Sequence, residues 1–315
     1  MVTTSTLESP FHEGEQRLQS LTGVQETMEQ RGRAMIRDHM PDQHRRFFEQ
    51  LPFVLAGGLD AHRQPWATVW SGLPGFMQSP DPHRLDIRVR HLPGDPLAAE
   101  WQAGSAIGLL GIEPHTRRRN RMNGTVVRAD ADGFDVAVRQ SFGNCPKYIH
   151  PRQVRWTGAA SAHAAVEPVG AQLQGAALRM VSAADTFFIA SSSPAAGEPG
   201  QGRGDGVDVS HRGGPAGFVH VAETAEGSVL TVPDYVGNFL FNTLGNILRQ
   251  PRVGLLFMDV ARGDVLWLAG RGEVDLDPQA AAAFEGAQRL LRVRIEQGWL
   301  GRGVMPLAWD TQAVS

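Results

Sequence analysis

The feature that most constrains the fold is a repeated pattern of short apolar runs separated by turn-forming residues. From Phe47 onward the chain contains FVLAGGLDAHRQPWATVWSG, then RLDIRV, SAIGLLGIE, NGTVVRAD and GFDVAVRQSF. Runs of this length, bounded by Gly, Pro and Asp, are typical of β-strands and tight turns. The 36 glycines and 20 prolines, against 7% aromatic residues, also favour many turns over a helical bundle. The sequence therefore predicts a mainly β fold with flanking helices (α+β).

A second series of such runs begins near Ala184 and follows the first in the same order. The stretch FVLAGGLDAHRQPWATVWSGLPGFM parallels FFIASSS…DVSHRGGPAGFV, and DPLAAEWQAGSAIGLLGIE parallels NFLFNTLGNILRQPRVGLLFMD. This order indicates an internal duplication of a unit about 120 residues long, although two β-rich segments can also align without a common origin. The duplication predicts two tandem small barrels related by a pseudo-twofold axis, as in a fused homodimer.

Helical segments are expected outside and between the two lobes. Apolar residues recur at helical spacing between Glu13 and Arg46, and the segment from Gln279 to Glu296 is rich in Ala, Leu and Arg with a helical period. The predicted divisions are a helical extension at 1–46, a first lobe at 47–157, a linker and helix at 158–183, a second lobe at 184–278, and a C-terminal helix and tail at 279–315.

The charge balance and the cysteine count exclude several classes of function. The formal net charge is −3, from 30 basic and 33 acidic residues, so no global positive field favours nucleic acid. The run His115–Gly124 contains four arginines, but it has no interleaved aromatic residues, which makes a nucleic-acid patch the less favoured interpretation. Cys145 is the single cysteine and the histidines are scattered, which predicts no disulfide and no metal site. No apolar run approaches the roughly 20 residues that span a bilayer, and we expect a cytoplasmic protein with no membrane partner.

The densest polar motif is the segment Asp208–Gly214, a candidate anion site. Ser210 offers a hydroxyl donor and Arg212 offers a guanidinium that suits a phosphate, while the two glycines that follow permit close approach of the backbone. The alternative is a polar hairpin turn in which Asp208 simply pairs with Arg212. Composition alone leaves both interpretations open.

A helix-like segment, NFLFNTLGN, lies downstream. Asn238 is predicted to cap a helix that places Asn242 and Asn246 on one face, one turn apart, with Thr243 beside them. Small polar donors at the start of a helix can hold a phosphate through side chains and backbone N–H groups. A cap followed by a solvated helix face is the alternative.

Together, the strings DVSHRGGPAGFVHV, LTVPDYVGNFLFNTLGNILRQPRVGLLFMD and GDVLWLAGRGEV resemble the pyridoxamine 5′-phosphate oxidase-like FMN-binding split-barrel proteins, especially their two-lobed bacterial members. The resemblance covers most of residues 47–275 and is strongest over 185–275. It implies two tandem split β-barrel lobes, with the FMN phosphate held by an arginine on an early strand and by polar residues ahead of a helix. By motif position, Arg212 with Ser210 corresponds to the first group and Asn242 with Thr243 to the second, and we predict His211, Gly213, Asn238 and Asn246 as further cofactor-binding residues. The family's pyridoxamine phosphate oxidases have an Arg-Lys pair where this chain has Asn242-Thr243, so the resemblance implies the fold and the cofactor, not the vitamin B6 reaction.

The first lobe lacks counterparts of SHRGG and NTLGN, and we expect it to form the opposite wall of the cleft. Arg119 is the member of the arginine run expected to face the flavin or an anionic substrate. In the segment QSFGNCPKYI, Lys147 is a candidate donor to the flavin O2/N1 edge, and Cys145 or Tyr148 is a candidate to meet the substrate. The alternative is a tight turn in which Cys145 is a buried small apolar residue.

The resemblance implies an FMN-dependent oxidoreductase that acts on a small organic substrate. A flavin-binding or carrier protein without turnover is one alternative, and a split barrel that binds a deazaflavin, or haem through a histidine such as His211, is another. A flavin or ferredoxin-type reductase would be a separate partner. Pairing into a homodimer is a further expectation.

Overall fold

A computed structural model describes residues 8–158 and 160–310. The helices in this part of the chain are α1 (Glu13–Leu21), α2 (Gln25–Met35), α3 (Asp42–Gln50), α4 (Gly175–Ala183), α5 (Asn242–Arg249) and α6 (Pro278–Ala282). The strands of the first half are β1 (Phe53–Leu59), β2 (Pro65–Ser71), β3 (Met77–Gln78), β4 (Arg84–Ile87), β5 (Ala106–Glu113), β6 (Arg118–Asp130), β7 (Gly133–Gly143) and β8 (Gln153–Trp156). Those of the second half are β9 (Ala165–Val169), β10 (Thr186–Ser192), β11 (Val207–Gly213), β12 (His220–Thr224), β13 (Gly227–Tyr235), β14 (Arg252–Asp259), β15 (Asp264–Asp275), β16 (Ala287–Arg302) and β17 (Leu307–Asp310). The predicted class, mainly β with flanking helices, is confirmed. None of the described helices is long and apolar enough to span a membrane.

The strands form two large antiparallel sheets that share one internal order. The first sheet runs β2-β1-β5-β6-β7-β4-β3, and the second runs β11-β10-β14-β15-β16-β13-β12, with β9 paired to β16. Each strand of the first sheet therefore has a counterpart in the second, from β1 with β10 to β7 with β16. Strands β8 and β17 form a separate pair. The shared order agrees with two comparable lobes, while their origin by duplication stays a prediction.

The two sheets meet so closely that a glycine is required where they cross. A Cβ on Gly108 of β5 would lie 2.4 Å from the carbonyl oxygen of Val207 in β11, and a Cβ on Gly254 of β14 would lie 2.3 Å from that of Pro65 in β2. Both distances are far below van der Waals contact, so the strands meet backbone to backbone. Because β5 and β14 are counterparts, the two contacts are reciprocal. This contact places side chains of β6 within reach of β11.

Apolar side chains fill a cluster inside each lobe and a third cluster between the lobes. Phe47, Val54 and Leu109 belong to the cluster of the first lobe, which the N-terminal helix α3 covers. The cluster between the lobes combines residues of both sheets, among them Trp66 and Trp267. Burial of these surfaces stabilises the arrangement of the two sheets, because apolar area is removed from water on both sides of the interface.

Of the helical extension predicted at 1–46, residues 1–7 lie outside the described residues, and the rest contains α1, α2 and the start of α3, which continues to Gln50. Helix α1 crosses α5 of the second lobe at two glycines, since a Cβ on Gly14 would lie 2.1 Å from the carbonyl oxygen of Gly245. The predicted helix at the end of the linker is also present, as α4. A strand that the sequence did not predict, β9, precedes it.

The prediction of a C-terminal helix from Gln279 to Glu296 is wrong. Only α6, at Pro278–Ala282, is helical, and β16 then lies in the second sheet between β15 and β13. Residues 291, 293 and 295 are buried apolar residues that alternate with Arg292 and Arg294, which is the period of a strand. The Ala-rich start of the segment hid this alternation. The boundary predicted for the second lobe, 184–278, therefore excluded β16, which is a central strand of its sheet.

The parallel between DPLAAEWQAGSAIGLLGIE and the segment that contains α5 would place a helix in the first half, and residues 95–105 contain none. The segment DPLAAEWQAGS forms turns, and Asp95 accepts a hydrogen bond from the backbone N–H of Leu97 at 2.9 Å. Pro93 and Pro96 flank this aspartate, and proline disfavours helical backbone at the residue before it. The two sheets thus share their strand order but not this connection.

Candidate functional site

A cleft of about 130 Å³ opens between β6 of the first sheet and β11 of the second, and we refer to it as the anion cleft. The start of α5 and the loop that follows β13 complete its walls. The predicted residues that line it are Arg119, Lys147, Tyr148, Ser210, His211, Arg212, Gly213, Asn238, Asn242 and Thr243. Among the predicted residues, Cys145 and Asn246 are not in its lining. The structure therefore brings together most of the residues that the sequence placed at one site.

The lining of the anion cleft is strongly basic. Arg119, Arg121, Lys147, Arg212 and Arg289 line it, whereas Asp234 is the single acidic residue of the lining. Several of its buried donor atoms have no hydrogen-bond partner within the described part of the chain: Nε of Arg119, Arg121 and Arg212, Nη1 of Arg289, and Nδ2 of Asn144. Buried polar groups in proteins are nearly always hydrogen-bonded, so this set of donors fits an anion with several acceptor oxygens.

Arg121 lies at the centre of the cleft and is not among the residues predicted from the sequence. The residue is 4% exposed. Its Nη1 donates to Asp208 Oδ1 at 3.1 Å and to Asn242 Oδ1 at 2.7 Å, and its Nη2 donates to Ser210 Oγ at 2.6 Å. Thr243 donates to the same Ser210 hydroxyl at 2.8 Å. Burial lowers the pKa of Arg121, and the carboxylate of Asp208 opposes that shift. A guanidinium nevertheless stays charged, which leaves a fixed positive group beside three small polar side chains.

The alternation of residues along β6 is the signal that could have identified Arg121. Positions 119, 121 and 123 of a strand lie on one face, and in this chain that face turns toward the second lobe. Asn123, the third of them, donates to Asp208 Oδ1 at 2.8 Å. Asp208 is thus held by Arg121 and Asn123 and not by Arg212. The alternative interpretation of the motif, in which Asp208 pairs with Arg212, is wrong.

Arg212 instead pairs across the cleft with Asp234 of β13. Its Nη1 donates a hydrogen bond to that carboxylate, and its side chain is 20% exposed. Arg289 of β16 approaches the same carboxylate, with Nη1 3.7 Å from Asp234 Oδ2, and lies over the ring of Phe241 at 4.9 Å. Two arginines therefore share one acid, which leaves net positive charge at this wall.

His211 separates the anion cleft from a larger cleft on its other side. Its Nδ1 lies 3.1 Å from Nη1 of Arg119. Burial, followed by the charge of Arg119, holds the pKa of His211 well below its usual value, so the ring is neutral. Because a guanidinium can only donate, Nδ1 must accept, and the ring proton is then on Nε2. In this arrangement Nε2 has no lone pair for a metal, which argues against His211 as a haem ligand. Within the described chain, no group of His, Cys, Asp and Glu residues is placed to hold a metal ion.

Helix α5 begins at Asn242, so the prediction that Asn238 caps it is wrong. The residue in the capping position is Phe241, which has left-handed backbone at φ 62°, as does Phe239 at φ 59°. Asn238 stays outside the helix, accepts from the N–H of Leu240 at 3.2 Å and donates to Asn144 Oδ1 at 3.2 Å. Non-glycine residues in this conformation cost free energy and are concentrated at functional sites. The first turn of α5 lines the cleft, and the positive end of a helix favours anions.

Behind the cleft, helix α1 supports α5 through a buried polar network. Asn246 donates to Asp208 Oδ2 at 3.2 Å, and its Oδ1 lies 2.9 Å from Nε2 of His12. Glu15 accepts from Asn242 Nδ2 at 2.5 Å and from the backbone N–H of His12 at 2.9 Å. Burial, and secondarily the charge of Asp208, raises the pKa of Glu15 well above its usual value. Asn246 thus belongs to the support of the site, and Glu15 and His12 join it there.

The mouth of the cleft is formed by the segment that carries the predicted catalytic candidates. Lys147 is exposed there, and Tyr148 has left-handed backbone at φ 63° and donates from its hydroxyl to Val236 O at 3.2 Å. The rings of Tyr148 and Tyr235, the two tyrosines of the chain, lie 5.3 Å apart. Cys145 is half-buried next to this segment. The mouth is therefore narrowed by a contact between the two lobes.

Comparisons with known proteins give a limited result. No protein-family model matches the chain, and no curated protein matches its sequence. Similar solved structures include a candidate pyridoxamine 5′-phosphate oxidase from Lactobacillus delbrueckii, at 17% identity and a TM-score of 0.29 over 40% of this chain and 93% of that one. A FAD-binding protein from Mesorhizobium loti has 14% identity and a TM-score of 0.26 over 43% and 97% of the two chains. HutZ, a haem storage protein from Vibrio cholerae, has 11% identity and a TM-score of 0.27 over 42% and 97%.

Proposed function

We propose that the anion cleft binds the phosphate of FMN and that the protein is an FMN-dependent oxidoreductase acting on a small organic substrate. The observation that carries this proposal is the set of buried guanidinium donors without partners around Ser210, Asn242 and Thr243. A phosphate is negatively charged and has several acceptor oxygens, so it can accept hydrogen bonds from these donors. The motifs that resemble the FMN-binding split-barrel proteins lie in the same walls.

The residues present fit the phosphate end of the cofactor in the present conformation. A volume of about 130 Å³ is below the 300–1,000 Å³ typical of ligand pockets, so the cleft encloses an anion but not a whole flavin. The Tyr148 contact with Val236 closes the mouth. We therefore expect the segment around Tyr148 to move outward when FMN binds.

The side chains of the cleft have different roles in binding. Arg121 and Arg212 supply charge-assisted hydrogen bonds to phosphate oxygens, and Ser210, whose oxygen accepts from Arg121 and Thr243, supplies a hydroxyl donor. Lys147 at the mouth would place a positive charge where negative charge develops on the reduced cofactor. Bound FMN would supply the redox chemistry itself, by exchanging electrons with substrate and acceptor. No side chain of the cleft is required as a strong acid or base.

The alternative functions, a flavin carrier, a deazaflavin protein or a haem protein, would use the same cleft in different ways. A carrier would bind FMN equally well but would not exchange electrons with a substrate, and a deazaflavin would use the same phosphate contacts. The protonated Nε2 of His211 disfavours haem ligation through that residue. A separate flavin or ferredoxin-type reductase remains the partner that we propose for an enzyme of this kind.

The test is a titration of the purified protein with FMN and, as a matched control, with riboflavin, which lacks the phosphate. We expect FMN to bind at least tenfold more tightly, because each charge-assisted hydrogen bond contributes about 1.5–3 kcal/mol. Fluorescence of the free flavin measures the binding. Equal affinities for the two flavins, or no binding of either, would contradict the proposal. Reoxidation of the reduced complex by candidate acceptors then separates an enzyme from a carrier.

A further inference from the structure

A second and larger cleft, of about 720 Å³, lies where the two sheets and α4 meet, and we refer to it as the apolar cleft. Phe53 and Ile112 of the first sheet and Phe188 and Met258 of the second form part of its walls. The cleft is within the size range that holds small organic ligands, whereas the anion cleft is not. Its walls are largely apolar, so their chemistry differs from that of the anion cleft.

Helix α4 presents one face to this cleft. Ala176, Arg179, Met180 and Ala183 line it, at the i, i+3, i+4 and i+7 spacing of a single helix face. Small side chains at both ends of this face leave space between the helix and the sheets. Arg179 is the charged group on an otherwise apolar helix face.

Three of the four arginines that line the apolar cleft have acidic partners, and Asp264, which also lines it, accepts from the backbone N–H of Gly303 at 2.8 Å. Arg152 pairs with Asp185, Arg262 with Asp259, and Arg302 with Glu167. Arg179 lines the same cleft but, within residues 8–158 and 160–310, has neither an ion pair nor a hydrogen bond. Arg179 is exposed, so its guanidinium is available to an anionic group at the edge of the cleft.

We propose that the apolar cleft is a second ligand site, which takes a small amphipathic anion with an apolar ring or chain and a carboxylate or sulfonate. The apolar body fills the space between α4 and the two sheets, and the anionic group meets Arg179. This site does not depend on FMN binding, although His211 belongs to the walls of both clefts.

Two fluorescent probes that differ in one group test the proposal. The probe 8-anilinonaphthalene-1-sulfonate carries an apolar body and a sulfonate, and N-phenyl-1-naphthylamine has the same body without the charge. With the wild-type protein we expect saturable binding of both probes at one site, with the sulfonate bound about fivefold more tightly through the rim charge. Arg179→Ala removes this preference and leaves the uncharged probe unaffected.

Two further variants assign the binding to the cleft. Ala183→Trp fills the space at an exposed end of α4, and we expect both probes to lose saturable binding while the thermal unfolding midpoint is kept. Arg212→Ala, which alters the anion cleft, leaves binding of both probes unchanged. The proposal is overturned if binding does not saturate, if Ala183→Trp has no effect, or if Arg212→Ala, and not Arg179→Ala, removes the preference for the sulfonate. Because FMN affinity is a separate titration, failure of either proposal is visible independently of the other.

Discussion

Counterpart strands of the two lobes surround opposite kinds of interior. The reciprocal glycines Gly108 and Gly254 fix the correspondence, and the registers of the neighbouring strands extend it. The corresponding residues are Asp208 with Trp66, Ser210 with Thr68, Arg212 with Trp70, and Arg121 with Trp267. Three tryptophans, each at most 1% exposed, therefore occupy the positions that correspond to Asp208, Arg212 and Arg121.

This difference shows that strand order does not decide where a ligand binds. Both lobes place the same strands side by side, yet one pair of strands holds charged side chains and the other holds packed aromatic rings. Trp70 is stacked on Phe134 with ring centroids 4.9 Å apart. The site is therefore a property of a few side chains on a common scaffold.

The largest expected effect comes from placing a charge at Trp267, the buried residue that corresponds to Arg121. Trp267→Arg should lower the free energy of unfolding by at least about 5 kcal/mol, because it removes a buried ring and places an unpaired charge in an apolar interior. Trp267→Phe, the matched control, keeps an apolar ring and should cost much less. Urea unfolding followed by circular dichroism measures both. Equal stability of the two variants would show that the apolar interior around Trp267 tolerates a buried charge.

The next effect comes from removing the charge at the centre of the anion cleft. Arg121→Met should destabilise the protein by about 3–5 kcal/mol, because Asp208 loses its buried counter-charge. The double variant Arg121→Met, Asp208→Asn removes both charges and should recover most of that stability, without recovering FMN affinity. Urea unfolding and flavin titration report the two quantities separately. Recovery of FMN binding in the double variant would mean that Arg121 has only a structural role.

A smaller effect is expected at the rim of the same cleft. Arg212→Ala should weaken FMN binding by about 2 kcal/mol, roughly thirtyfold, since it removes one charge-assisted contact to the phosphate. Its partly exposed pair with Asp234 implies a stability change of less than about 1 kcal/mol. Calorimetric titration with FMN and riboflavin measures the binding. A loss of affinity for riboflavin as large as that for FMN would place the phosphate elsewhere.

The smallest effect is a pH dependence set by Glu15 in the support of the cleft. Its pKa in the folded protein lies well above the usual value of 4.5, so the folded state favours the protonated carboxyl. The stabilisation is full below 4.5 and is lost as the pH rises from there through the raised pKa. Glu15→Gln removes this titration beside His12, Arg121, Asp208 and Asn242. The stability of the variant relative to the wild type should therefore increase with pH over that window, as urea midpoints at several pH values would show. A difference that does not change with pH would contradict the assignment.

The parts of the fold that were predicted correctly are those that local patterns specify. The short runs bounded by glycine and proline predicted strands, and the contiguous motifs that contain Ser210, Arg212 and Asn242 predicted one wall of the anion cleft. Arg121 was missed because it comes from a strand of the other lobe, and the sequence does not state which strands meet. The partner of Asp208 was uncertain for the same reason. Strand β16 was predicted as a helix because the Ala-rich residues before it favour helix, although the residues that follow alternate as in a strand.

The most direct test of the central claim is a crystal structure of the protein grown with FMN. The account predicts a phosphate in the cleft between β6 and β11, within hydrogen-bond distance of Arg121 and Arg212, and an outward shift of the segment around Tyr148. We also expect the interior that contains Trp66, Trp70 and Trp267 to stay closed. A phosphate bound at another place, or a protein without ligand at a saturating concentration of FMN, would contradict the account.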